Sequence, residues 1–437
     1  NEVMGMREMK DSGIEWIGEI PKEWELRKIK FLPNNEENSF VDGDWIESPV
    51  ITDEGIRYYT TGNIGDGFFK EQGNGYISLN TFKMLNCKYA YPSDLVISRL
   101  NAPYGRSCIL PDNEEKYVLA VDNVILRTNE DKRFICYLTQ CLGYQRAVED
   151  ISNGTTMKRV SRVKLGNISL PLPRIDLQNK IADYLDTQCS EIDATAEDIQ
   201  KEISLLEDYK KSVITEAVTK GLNPDAEMKD SGIEWIGEIP KHWKVIRFKY
   251  IAIVKSNLVA PIRYMNYPQI APDVIEKNTG KIISHRSVEE ANVDSWNHLF
   301  YKGQILYSKI RPVLNKVVIA PYDGLCSADM YPISAKENVR FLQYIMLSAF
   351  FVKQVDLVTR DRIKMPKINQ DELGNILLVW TSKEEQQQIA DFLDSKCSEI
   401  DSLIADKKRQ LDILADYKKS LIYEYVTGKK EVPVKDF

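Results

Sequence analysis

The sequence predicts an α/β protein: two mixed α/β domains joined by a long antiparallel two-helix coiled coil, with a pseudo-twofold internal repeat. Three observations predict it. The stretch MKDSGIEWIGEIPKEW at 9–24 returns at 228–243 with one change, Glu23 to His242. A second pair, IADYLDTQCSEID at 181–193 and IADFLDSKCSEID at 389–401, runs on into DYKKSVITEAV at 208–218 and DYKKSLIYEYV at 416–426. The segments between these repeats resemble each other only faintly, so the chain reads as a variable domain and a constant helix, written twice. At 437 residues it is too long for one compact core. The expected division is 1–175 and 221–380 for the domains, 176–220 and 381–430 for the helices, and 431–437 for a C-terminal tail.

Each variable domain contains short strand-like runs, such as DLVISRL, NVILR and NKVVIA, separated by Gly- and Asn-rich loops. One helical pattern, RFICYLTQCLGYQRAVE, stands out in the first. The order of the strands is not legible. The constant segments are helical: Leu185, Cys189, Ile192, Ala196, Ile199, Ile203, Leu206, Val213 and Ala217 fall on alternating three- and four-residue steps. Leu393, Cys397, Ile400, Ile404, Leu411, Leu414, Leu421 and Tyr425 repeat the seam, with Lys210, Lys407 and Lys418 as breaks. Gly221 and Gly428 follow as stop signals. A straight helix over 178–218 would be ~60 Å long, so the second helix can pair with the first only by running back. Each copy of the repeated stretch would then lie beside the end of a long helix.

Seven cysteines without CxxC spacing and three scattered histidines read as reduced thiols with no metal constellation. No apolar run approaches the ~18–20 residues of a membrane span, and the expected location is the cytoplasm. Net charge is −7, against a generally sticky nucleic-acid binder. The distribution is uneven: Lys and Arg outnumber Asp and Glu 16 to 13 over 51–175 and 19 to 12 over 244–380, while the helices are acidic. Two clusters, GTTMKRVSRVK (154–164) and TRDRIKMPK (359–367), concentrate the positive charge. Lys158, Arg159, Arg162 and Lys164 in the first, with Arg360, Arg362, Lys364 and Lys367 in the second, suit phosphate contacts and base-edge hydrogen bonds. Two loosely matching segments, DLVISRLNAPYGRSCI (94–109) and QILYSKIRPVLNKVVI (304–319), add Arg99, Asn101, Tyr104 and Arg106, and Lys309, Arg311 and Lys316.

Enzyme readings lose on the same residues. NAPY at 101–104 approximates the motif with which adenine methyltransferases hold a flipped base, but Ala102 replaces the first proline and the second half reads RPVL. GNIGDG at 62–67 is only a glycine-rich loop. Carboxylates are plentiful but lie on solvated helix faces, so no catalytic residue and no metal site are expected.

GIEWIGEIPKEW, LPLPRIDLQNKIADYLD, KEEQQQIADFLD and DYKKSLI…VTGK together resemble the specificity subunit of bacterial type I DNA restriction-modification systems. The resemblance covers essentially the whole chain, with Asp176 and Leu177 where Glu-Gln is commoner. It implies two target-recognition domains, each reading one half of a bipartite asymmetric double-stranded DNA site, with the coiled coil setting the spacer. It also implies recruitment of two modification subunits, which bind S-adenosylmethionine, and through them restriction subunits, which use ATP and Mg; the chain itself would hold no cofactor. Trp16, Ile17, Trp235 and Ile236 of the repeated stretch are the expected partner-binding residues, with a purely structural Trp as the alternative. Two other functions compete: a coiled-coil protein-interaction scaffold, and the specificity part of a related restriction enzyme.

Overall fold

The computed structural model describes residues 7–73, 75–154, 157–362 and 364–433. The chain divides into two compact units. One holds residues 1–198 together with 410–437, and the other holds 199–409. Each is built from one globular module and two facing stretches of long helix.

In the first unit the repeated stretch forms a hairpin, Met9–Asp11 against Glu19–Pro21. Its turn is locked by local acceptors: Gly13 N donates to Asp11 Oδ1 at 2.9 Å and Ile14 N to Ser12 Oγ at 3.2 Å. These side chains mimic a backbone turn, which is why Asp and Ser precede the Gly. Next, Glu25–Lys28 pairs with Ser169–Leu172, closing the module where it enters the helix. Between them lie two four-stranded sheets. One is antiparallel, in the order Phe40–Asp42, Asn123–Leu126, Leu95–Ser98, Ser107–Ile109. The other runs Tyr117–Leu119, Ile56–Tyr59, Tyr76–Ile77, Ile51–Thr52, with its first pair parallel. Helices Lys132–Thr139 and Leu142–Asp150 bury Phe134, Leu138, Tyr144 and Val148 against the first sheet.

The second unit repeats the plan. Met228–Asp230 pairs with Glu238–Pro240, and Lys244–Arg247 with Leu377–Trp380. An antiparallel sheet runs Ala252–Val254, Met330–Ala335, Ile305–Ser308, Val317–Ile319. The other sheet runs Leu258–Val259, Asn297–Phe300, Gly324–Cys326, Gln269–Ile270; it keeps one parallel pair, its last, and adds Asn297–Phe300 on the far side of that pair. The faint similarity of the variable segments therefore conceals one architecture with a rewired distal sheet.

Two long helices, Ile175–Lys220 and Lys383–Val426, follow the modules. Within each unit they face each other antiparallel. In the first unit Tyr184 meets Tyr425 at 4.7 Å between ring centroids, and Asp193 meets Lys418 at 2.6 Å. In the second, Glu202 meets Lys407 at 2.5 Å and Asp401 meets Lys210 at 2.8 Å. The three lysines that interrupt the seam are thus half-buried cations, each on a carboxylate of the facing helix. The remaining seam positions are buried or half-buried. Gly221 and Gly428 end the helices at φ +74° and +73°, where a side chain would be strained.

A buried glutamine starts each long helix. Gln178 accepts from Asp131 N at 3.0 Å and donates to Pro173 O at 2.8 Å; Gln386 donates to Thr381 O at 2.8 Å and to Glu337 at 2.7 Å. An identical clamp follows one turn on. Arg133 pairs with Asp183 and Asp186 while Tyr137 Oη donates to Asp186; Arg340 pairs with Asp391 and Asp394 while Tyr344 Oη donates to Asp394. The repeated sequence is therefore the joint that fastens a module to its helix.

Each hairpin, in turn, seats on the end of a helix. Lys429 Nζ donates to Ile17 O at 2.9 Å, and Pro21 and Trp24 crowd Gly428. In the second unit Ile233, Ile236, Ile239 and Trp243 pack with Ile214, Ala217 and Val218. Both copies, differing only at Glu23 and His242, thus seat on the end of a long helix.

Candidate nucleic-acid interface

The basic segments singled out in the sequence are far apart along the chain, and the fold brings them together in pairs. In the first unit Leu100 forms a β-bridge with Arg159, Val160 N donates to Arg99 O at 3.0 Å, and Asn101 N donates to Lys158 O at 3.3 Å. In the second, Ile310 bridges Lys367 and Arg311 N donates to Pro366 O at 2.7 Å. The loop after one central strand is stitched, in both units, to the segment preceding the module's last short helix. Thr155, Thr156 and Ile363 of the two clusters lie outside the described residues.

Side chains in the first unit are mostly engaged within it. Arg99 is 4 % exposed, lies 3.1 Å from Asp42 and donates to Val160 O and Val121 O. Burial pulls its pKa down, and the nearby Asp42 pushes back. Arg106 is also buried and spends its guanidinium on the carbonyls of Ile64, Thr61, Leu100 and Asn101. These two arginines build the loop from behind. Arg159 lies 2.5 Å from Asp122, and Arg162 lies 3.2 Å from Asp42 and donates to Phe40 O. Lys158 pairs with Glu149 at 2.7 Å and sits over Tyr104, while Lys164 donates to Ile151 O. Asn101 is exposed, and its side chain has no partner among the described residues.

The second unit leaves more charge uncommitted. Arg311, Arg360 and Lys364 are exposed, with no side-chain partner among the described residues. Lys367 pairs with Asp329 at 3.0 Å, the counterpart of the Arg159–Asp122 contact. Arg362 is tied to Glu372, Lys316 donates to Pro272 O, and Lys309 sits over the Tyr331 ring. Sequence reasoning missed Asp42, Asp122 and Asp329, because acids that neutralise a basic loop arrive from strands and turns with no sequence proximity to it.

The four expected partner-binding residues divide sharply. Ile17 and Ile236 are buried core. Trp16 is half-buried, 6.4 Å from Tyr144 and directly over Gly143. At the position of Gly143 the second unit has Phe350, which is buried, and Trp235 stands 41 % exposed. Two stretches that differ at a single residue thus present different surfaces. The departure at Leu177 also has a visible consequence: its counterpart Glu385 accepts from Trp243 Nε1 at 3.0 Å, whereas buried Trp24 Nε1 has no partner among the described residues.

Among the described residues no group of three or more His, Cys, Asp or Glu side chains is placed to hold a metal ion, and no single helix is long and apolar enough to cross a membrane. All seven cysteines are buried free thiols.

Residues 21–205 match the type I restriction modification DNA specificity domain. The chain is 30% identical over 292 residues to the EcoDI specificity subunit of Escherichia coli, covering 63% of this chain and 64% of that one. It is 24% identical over 435 residues to the putative MjaX specificity subunit of Methanocaldococcus jannaschii, covering 95% and 96%. A structure solved for the assembly and conformational transition of the type I R-M system superposes with a TM-score of 0.71 at 12% identity, covering 94% of this chain and 99% of that one. The HsdS subunit of Thermoanaerobacter tengcongensis gives a TM-score of 0.50 at 12% identity, covering 94% and 98%. With the repeated joint and the two modules, the chain carries a type I restriction modification DNA specificity domain at 21–205 and is similar to type I specificity subunits along 95% of its length.

Proposed function

We propose that the chain is the sequence-reading subunit of a type I complex in the cytoplasm, each unit reading one half of a bipartite, asymmetric duplex DNA site. One observation carries this reading. Both units stitch the same two loops together, but fill them with different residues. Replicated scaffolds with divergent loops are what two different half-sites require, since base contacts specify while the frame positions. The joint and the hairpins repeat nearly verbatim, as docking two copies of one methyltransferase would require. The facing helices would set the spacer between half-sites. The chain supplies recognition; S-adenosylmethionine chemistry belongs to the modification subunits, and ATP and Mg chemistry to the restriction subunits they recruit.

The test is binding of the chain, assembled with its methyltransferase, to a random duplex library, followed by methylome sequencing of an expressing host. One recurrent two-part motif is expected. Capture without sequence preference would instead favour a protein-interaction scaffold.

A further inference from the structure

Asn101 and Arg311 are a matched pair on the two loop pairs, each combining a left-handed backbone with an exposed polar side chain. They occupy the same place. Each follows the strand of its central sheet by the same short step, donates its backbone N–H to the residue before the bridged basic position, and precedes a proline by one or two residues. Each also has a left-handed backbone, φ +60° for Asn101 and +44° for Arg311. Asn tolerates that region because its short side chain can bond locally; Arg has no such compensation and persists there only where its surroundings hold it. Arg106 holds the first tip, donating to the carbonyls of Leu100, Asn101 and Pro103. Apart from Arg360 and Lys364, the neighbouring cations are committed to carboxylates, carbonyls or an aromatic ring, and both tip side chains are exposed and without a partner among the described residues.

We propose that Asn101 and Arg311 are the equivalent base-reading tips of the two units, Asn101 selecting adenine and Arg311 guanine in the major groove. This rests on the DNA-reading function above and adds the residue and the base. Chemistry assigns the bases: a side-chain amide matches adenine N6 and N7, and a guanidinium fork matches guanine O6 and N7. The strained backbone aims each side chain outward, so binding need not first order a loop.

The experiment is selection from a random duplex library by the chain assembled with its methyltransferase. Arg311→Asn should reduce guanine preference at one position of one half-site by roughly tenfold or more, leaving all other positions unchanged. Asn101→Arg should move one position of the other half-site from adenine towards guanine. Arg311→Lys keeps the charge but not the fork, so the salt dependence should persist while the base preference falls. Arg311→Gly relaxes the backbone and should melt no lower than the parent, separating lost reading from lost folding. A uniform loss of affinity with unchanged base preferences would make the tips phosphate contacts and overturn the proposal, as would no change at all. If the unsubstituted complex selects no sequence, the DNA-reading function itself fails.

Discussion

Trp16 and Trp235 share sixteen-residue contexts that differ at one distant position, yet one is half-buried and the other exposed. The difference lies in what faces them. Gly143 leaves room for the Trp16 ring beside Tyr144, whereas the matching position of the second unit holds the buried side chain of Phe350. Trp16→Ala should therefore destabilise the protein by about 1–3 kcal/mol, less than the ~3–5 of a fully buried Trp. Gly143→Ala should also destabilise it, because a Cβ there collides with Trp16. Trp235→Ala should leave the melt within ~0.5 kcal/mol of the parent, as exposed substitutions do. Its loss should instead be felt in partner binding, since an exposed Trp rimmed by a buried Ile is a common hot spot. Thermal melts of the free variants, with native mass spectrometry of the assembled complex, check all three. A Trp235 variant that melts early would return the residue to a structural role. None of this could be read from the repeat alone, because the deciding residues, Gly143 and Phe350, lie in the variable segments.

The long helices were the most legible elements, since a seam sustained over many turns needs no tertiary information. Their interruptions were legible as breaks but not as contacts. Lys210, Lys407 and Lys418 find carboxylates across the antiparallel interface, pairings that only the register reveals. Strands were harder: most have two to four residues, too short for alternation to show, and their order depends on long-range pairing. The loop pairing at the candidate interface was hidden for the same reason, since a single β-bridge leaves no periodic trace. Among the helix contacts, Asp401 carries a pH signature. Burial would raise its pKa, but hydrogen bonds from Lys210 and Lys281 outweigh that and hold the carboxyl below its usual value. A depressed native pKa contributes stability above the unfolded value, about 3.9, and loses it as pH falls through the native one. Melting temperature should therefore drop as pH is lowered below ~4, and Lys210→Met with Lys281→Met should flatten that particular drop. An identical acid profile in the double variant would show that other carboxylates dominate.

At the scale of the whole molecule, the two units carry unequal electrostatics on equivalent loops. In the first, Asp42, Asp122 and Glu149 occupy the half-buried cations Arg162, Arg159 and Lys158; in the second, Arg311, Arg360 and Lys364 stand exposed and without side-chain partners among the described residues. Counterion release follows the number of phosphates neutralised, so the second unit should supply more of the salt dependence of DNA binding. Arg360→Ala and Lys364→Ala should each lower the slope of log affinity against log salt by about one without altering any base preference. Arg159→Ala behaves differently. Among the described residues it leaves Asp122 paired with Arg99 alone, at 3.8 Å, and so should cost stability before it costs affinity. Asp122→Asn reverses the logic: Arg159 is released, and non-specific binding through the first unit should rise and grow more salt-sensitive. Titrations of each variant complex on specific and scrambled duplexes, from low to physiological salt, measure these slopes directly. Equal slope losses from Arg159→Ala and Arg360→Ala, with unchanged melts, would show that the acids do not hold the first unit's cations back and that both halves grip DNA alike.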